Sequence, residues 1–132
     1  MLKYMLDTNI VIYVIKRKPL EALKSFNRHA GQICISAITL AELLHGAEKS
    51  AYPEQNLVLV EDFTSRLEVL EYDAKAAAHY GEIRAVLEKA GTIIGVNDLH
   101  IAGHARSAAL TLVTNNLKEF RRVKGLRLEN WV

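Results

Sequence analysis

The chain has 132 residues, with 17 basic and 15 acidic side chains, a net charge of +2 and one cysteine. That length predicts one domain, residues 1–132, with a sizeable core. No apolar run reaches the roughly 18 residues a membrane helix needs, and one cysteine excludes an internal disulfide. Charge interrupts the opening Met1-Leu2-Lys3-Tyr4-Met5-Leu6-Asp7 too early for a secretory signal, so a reducing cytoplasm is the expected compartment.

The predicted elements alternate between short apolar strands and helices. Tyr4 to Leu6 reads as a strand, and Asp7-Thr8-Asn9 offers caps for a helix over Ile10 to Ile15. Pro19 opens a second helix to about Arg28. Gln32 to Ile35 is an apolar strand that places Cys34 between two isoleucines, where a buried thiol is expected. Ser36 caps a helix over Ala37 to Lys49, and Pro53 starts another to about Leu67. Val69 to Tyr72 reads as a strand. Asp73 caps a long helix to Lys89 that Gly91 ends. Gly95-Val96-Asn97-Asp98 leads into a helix to about Ala108, followed by strands at Leu110 to Thr114 and Leu126 to Glu129. The alternation predicts an α/β fold: a short parallel sheet with helices on both faces. Such sheets bind ligands beyond the carboxyl ends of their strands.

Three acids stand in apolar surroundings without an obvious basic partner. Asp7 closes the first strand, and two roles fit it: a helix cap, or a group aimed into the crevice. Glu42 follows Ile38 on one helical stripe and is costly there unless paired or bound to metal; a boundary position that reaches water, or an ion pair with Lys49, is the structural alternative. Asp98 shares its stripe with Ala102, Ala105 and Ala109, small residues that let the helix press on the sheet. Capping by Asn97 or Asp98 is the alternative there. Thr114-Asn115-Asn116 adds polar oxygens after a strand, with Glu119 close behind. Converging carboxylates suit a hard divalent cation. Lys16, Arg17, Lys18, Lys24 and Arg28 crowd one stretch, and Lys118, Arg121, Arg122, Lys124 and Arg127 another. Either cluster suits a polyanion or a solvated surface.

The ordered set Leu6-Asp7-Thr8-Asn9, Ser36-x-x-Thr39-x-x-Glu42-Leu43, Asn97-Asp98-x-x-Ile101-Ala102 and Val113-Thr114-Asn115-Asn116 with Glu119-Phe120 resembles the PIN-domain nucleases, in particular the VapC toxins of bacterial toxin–antitoxin pairs. The resemblance spans nearly the whole chain. It implies a PIN-like fold and a Mg²⁺- or Mn²⁺-dependent endoribonuclease whose acids are Asp7, Glu42 and Asp98. Many relatives have Asp where this chain has Asn116, which makes Glu119 the preferred fourth acid, ahead of Asn116. Thr8, Asn9, Ser36 and Thr114 are the expected supporting groups, and Lys16, Arg17, Lys18, Arg121, Arg122 and Lys124 the expected RNA contacts. The resemblance further implies hydrolysis of structured RNA to 5′-phosphate and 3′-hydroxyl ends. Transfer RNA is the expected class, with the anticodon loop of initiator tRNA preferred by enteric relatives. It implies a homodimer, a VapB-type antitoxin that wraps the toxin, and operator DNA reached only through that antitoxin. Ile12, Tyr13, Leu44, Tyr52 and Leu57 are candidate partner contacts or core. Clustered like charges predict at least one raised carboxylate pKa before metal binds.

Other chemistries are less well supported by the residues. His100 and His104 have the i, i+4 spacing of zinc ligands, but no third nitrogen or sulfur donor stands out. An aspartyl phosphatase lacks the second Asp that should follow Asp7-Thr8. Asn116 motivates one further alternative, an RNA- or antitoxin-binding module with a weakened metal site.

Overall fold

The computed structural model describes residues 1–132. In chain order the elements are β1 (Tyr4–Leu6), α1 (Thr8–Lys16), α2 (Leu20–Arg28), β2 (Ile33–Ser36), α3 (Ala37–Glu48), α4 (Pro53–Thr64), β3 (Glu68–Leu70), α5 (Ala74–Ala90), α6 (Val96–Ser107), β4 (Thr111–Val113), α7 (Leu117–Phe120) and β5 (Leu128–Glu129). All strand pairs are parallel and the order is β3-β2-β1-β4-β5. The chain runs from β1 outward through β2 to β3, then returns to the other side of β1 to lay down β4. Strand order therefore reverses between β1 and β4, which opens a crevice beyond their carboxyl ends. No helix is long and apolar enough to cross a membrane.

Side chains alternate across the strands and split the core in two. Leu6, Ile33, Ile35 and Val113 face a cluster with Ile10, Val14, Phe26, Leu43 and Phe63 from α1 to α4. Met5, Cys34 and Leu112 face the opposite cluster, built with Ile83, Leu99, Ile101, Ala102 and Phe120. Cys34 is fully buried, as its strand position predicts. Trp131 seals the first cluster: it is buried, stacks on His29 at 4.9 Å and meets Tyr4 edge-on at 5.2 Å.

Several boundaries differ from the sequence reading. β3 covers Glu68–Leu70, so Glu71 and Tyr72 are outside it; Tyr72 turns instead to His100, with its hydroxyl 2.7 Å from His100 Nδ1. α4 stops at Thr64 rather than Leu67, because Thr64 and Ser65 hydroxyls bond back to the carbonyls of Glu61 and Asp62. β5 keeps only two residues, and the short α7 was not anticipated. Ala109 lies beyond α6 with a φ of 56°, so the small-residue stripe ends at Ala105.

A different face of α6 carries Gly103, against α5. A Cβ there would stand 2.8 Å from the Tyr80 backbone nitrogen and 3.2 Å from the Ala76 carbonyl oxygen. The backbones of α5 and α6 touch at this crossing, and backbone atoms do not yield as a side chain does. Gly103→Ala is expected to destabilise the fold by about 1–3 kcal/mol through overpacking. A fall in Tm checks this, and an unchanged Tm would refute the close crossing.

Candidate active site

The crevice assembles from local caps. Asp7 ends β1 and caps α1, its Oδ1 accepting from the Ile10 amide at 2.9 Å, a bond of about 1 kcal/mol. Both roles foreseen for Asp7 therefore coincide: the carboxylate caps a helix and stands at the strand-order switch. It is also buried. Glu42 lies on the second turn of α3, half-buried. It makes no ion pair with Lys49. Its two oxygens accept instead from Thr8 Oγ1 at 2.6 Å and Asn97 Nδ2 at 3.2 Å. Asp98 sits in the first turn of α6, but the cap position is Gly95 and neither Asp98 nor Asn97 makes a capping bond. Glu119 rides on α7.

These four acids share one electrostatic field. Burial raises the Asp98 pKa, and Asp7, Glu42 and Glu119 add to the rise, to about 6 in total. Burial also raises Asp7, with Glu42 adding to it, while donors at Thr114, Ile10 and Asn9 oppose the shift. The raised carboxylates expected from like charge are present, though dehydration is the larger cause in both. None of the four acids forms a salt bridge; the ion pairs are Arg66–Asp62, Arg84–Glu88 and Arg106–Glu82.

The donor set fits a hard divalent cation in its chemistry: oxygen atoms, excess negative charge and no competing cation. As the side chains stand, no three Asp, Glu, His or Cys groups converge closely enough to ligate one ion. Glu42 is tied to Thr8 and Asn97, and the mutual repulsion of the acids opposes closer approach.

Not every expected supporting group faces the acids. Thr8 supports Glu42, Thr114 lies buried beside Asp7, and Asn9 acts through its amide. Ser36 does otherwise: its hydroxyl caps α3 at Ile38 and bonds His104 Nδ1 at 2.7 Å. It organises the sheet end at one remove. Asn116 caps α7 without a side-chain bond, and its amide donates to the Thr114 hydroxyl at 2.9 Å. Asn97 also belongs to the site through Glu42, and its one signal in the sequence is an amide donor directly before Asp98. His100 stacks on Tyr80 at 4.0 Å while His104 is buried on Ser36, so the two histidines have separate structural partners.

The basic candidates are all exposed. Lys16 lines a groove of about 280 Å³ that has Thr8 and Glu42 at its other end. Arg17 and Lys18 follow at the end of α1. Arg122 reaches the Ile93 carbonyl at 3.2 Å, close to the start of α6, and the Lys124 carbonyl accepts from Arg106. Arg121 is the C-cap of α7.

The raised pKa of Asp98 makes a stability prediction. A folded-state value of about 6 against 3.8 unfolded means the fold favours the neutral acid. The Asp98 contribution to stability is full below about pH 4 and is lost as pH rises through 6. Asp98→Asn is therefore expected to raise the Tm of the metal-free protein at pH 7, with the gain vanishing near pH 3.5. Thermal melts in chelator at both pH values test it, and an equal gain at both would refute it.

Comparison with known proteins matches the fold and nearly the whole length of the chain. The PIN domain family model matches residues 4–126. The chain is 65% identical over 132 residues to Ribonuclease VapC2 of Haemophilus influenzae, covering 100% of both chains. It is 56% identical to the tRNA(fMet)-specific endonuclease VapC of Shigella flexneri, with 99% of each covered. A chain in the crystal structure of DNA-bound VapBC from Salmonella typhimurium superposes with a TM-score of 0.96 at 56% identity, and 100% of each chain is covered. Matched by the family model over residues 4–126 and this similar to its relatives along its whole length, the chain belongs to the PIN-domain family and, within it, to the VapC ribonucleases.

Proposed function

We propose that this protein is the toxin of a type II toxin–antitoxin pair and a Mg²⁺- or Mn²⁺-dependent endoribonuclease that cuts structured RNA. The observation that carries the reading is the group of four acids around one crevice, each within the field of Asp98 and none neutralised by a basic side chain. Asp7, Glu42, Asp98 and Glu119 would hold the cation, with Asn116 at the edge of the set. When bound, the metal supplies neutralising charge for the phosphodiester and an acidified water as nucleophile. The chain's own groups do the rest. Asp7 and Thr114 hold the floor of the crevice, Thr8 and Asn97 orient Glu42, and an acid of the set passes the proton of the attacking water on toward the departing 3′-oxygen. Hydrolysis leaves 5′-phosphate and 3′-hydroxyl ends.

Transfer RNA is the proposed substrate class, and initiator tRNA cut in its anticodon loop is the specific candidate. Support comes from the name of the Shigella flexneri relative. Cutting it would halt translation, and a cytoplasmic site of action follows from that substrate. The proposed partner is a cognate VapB-type antitoxin, with operator DNA engaged through it. The Salmonella typhimurium complex is the support. A homodimer and a larger toxin–antitoxin assembly belong to the same proposal. Lys16, Arg17, Lys18, Arg121, Arg122 and Lys124 are the proposed phosphate contacts, since acids alone would repel RNA.

The decisive experiment is digestion of total tRNA by the antitoxin-free protein with Mg²⁺ or Mn²⁺, and with EDTA, followed by mapping of the new ends. Discrete fragments are expected with metal and none with EDTA. Asp7→Asn, Glu42→Gln and Asp98→Asn are each expected to lower cleavage by more than about 100-fold with the fold retained. A folded single variant with full activity would remove that residue from the mechanism. RNA bound equally with metal or chelator, and never cut, would favour the binding-module alternative that Asn116 motivates.

Asn97→Ala should release one oxygen of Glu42 and cost about 10–100-fold in activity, as expected for a group that orients a ligand. Isothermal titration of Mn²⁺ should show weaker binding in parallel. Wild-type activity and affinity in Asn97→Ala would show that Glu42 needs no such support.

A further inference from the structure

The acid crevice has two rims. One is the Thr8–Glu42–Asn97 bridge between α1, α3 and α6. The other is a bridge that the proposed chemistry leaves unused: Asn115 Nδ2 donates to the Tyr13 hydroxyl at 3.0 Å across the mouth between α1 and the loop after β4. Asn115 directly follows Thr114, which lies buried beside Asp7, and precedes Asn116. Tyr13 stands on the helix that Asp7 caps, about 9 Å along its axis from that carboxylate. Side chains on a helix lean toward its N-terminus, so the ring leans toward the acids.

Tyr13 is the aromatic residue bonded to the loop beside Asp7. Phe26, Phe63, Phe120 and Trp131 are buried, Tyr4 packs on His29 and Trp131, Tyr72 and Tyr80 are engaged with His100, and Tyr52 is exposed just before α4. Tyr13 is half-buried: it packs against the α1–α4 core, which fixes the ring, and its hydroxyl emerges at the crevice. Asn115 is exposed, and its carbonyl and second amide hydrogen have no protein partner. A held aromatic ring beside an uncommitted amide is what an unpaired nucleobase requires: a surface to stack on and groups to bond its edge. The need is specific to this crevice. Four acids repel the backbone of the substrate, whereas stacking attracts without charge.

We propose that the Tyr13–Asn115 bridge is the base-recognition rim of the crevice. Tyr13 stacks an unpaired RNA base next to the scissile phosphate, and Asn115 hydrogen-bonds the edge of that base. This assignment rests on the ribonuclease reading and adds to it the two residues that select the position cut.

The test uses the full-length toxin carrying Asp98→Asn, so that RNA stays intact, and a fluorescein-labelled RNA hairpin with an unpaired loop. Anisotropy compares Tyr13→Phe, Tyr13→Leu and Asn115→Ala in that background. Tyr13→Phe keeps the ring and should bind within about twofold. Tyr13→Leu keeps apolar packing but loses stacking, and should weaken binding about tenfold. Asn115→Ala alters only an exposed side chain, so it serves where Tyr13→Leu fails to fold. In the active protein it should redistribute the cleavage positions on total tRNA, while Tyr13→Leu raises KM and leaves kcat nearly unchanged. A purely structural role would move Tm without separating KM from kcat. Wild-type affinity in a folded Tyr13→Leu, or an unaltered cleavage pattern in Asn115→Ala, would overturn the proposal alone. No binding of the hairpin in the Tyr13 wild-type background would overturn it together with the ribonuclease reading. Unchanged RNA binding with loss of antitoxin binding would overturn it and assign the rim to the antitoxin.

Discussion

The reversal of strand order between β1 and β4 is the constraint from which the rest of the structure follows. A parallel sheet must return its chain over one face or the other, and here the two halves of the chain take opposite sides of β1. The carboxyl ends of β1 and β4 are left uncovered by any connecting segment. Asp7 and Thr114 stand there because they are the next residues after Leu6 and Val113. Placing a buried carboxylate at this point is unfavourable, and the raised Asp7 and Asp98 pKa values record that cost. The fold tolerates it because the two apolar clusters, one on each sheet face, supply the compensating burial.

The same layout explains how four distant segments meet. α3 and α6 each begin near the carboxyl edge of the sheet, so Glu42 and Asp98 arrive in their first two turns. Gly103 lets α6 lie directly on α5, which keeps α6 close to the sheet at Met5 and Leu112. The site is thereby built on rigid elements with little dependence on long loops. Its polar connections are neutral donors to acids, Thr8 and Asn97 to Glu42, which orient charge without cancelling it.

Most of the fold was legible because it rests on local chemistry. The caps at Asp7, Ser36 and Asp73 each form the side-chain bond that their residue type predicts, and Gly91 ends α5 at φ 70°. The parallel sheet followed from strand–helix alternation. Less legible was whatever depends on contacts far apart in sequence. β3 is short, and its place at the sheet edge is set by pairing with β2 alone, so its limits shifted. Asp7, Glu42 and Asp98 stood out as charges in apolar stretches. Asn97 did not, because a neutral amide carries no burial signal and its partner is 55 positions away. Ser36 is legible in the sequence as a cap but not as the partner of His104, which a helical wheel on either segment cannot show.

Trp131 carries a consequence for how the molecule comes into being. Its ring closes the core beneath Tyr4 and His29, so residues near the beginning of the chain wait for one near position 131 before that side is dry. β4, with Thr114 beside Asp7, is likewise paired on its outer side by the late β5. Contacts this remote in sequence form slowly. A ribosome-bound chain can therefore assemble its helices early, yet the walls of the crevice are stabilised only when synthesis reaches the last strand. Until Trp131 is in place, the core beneath Tyr4 and His29 stays open to water.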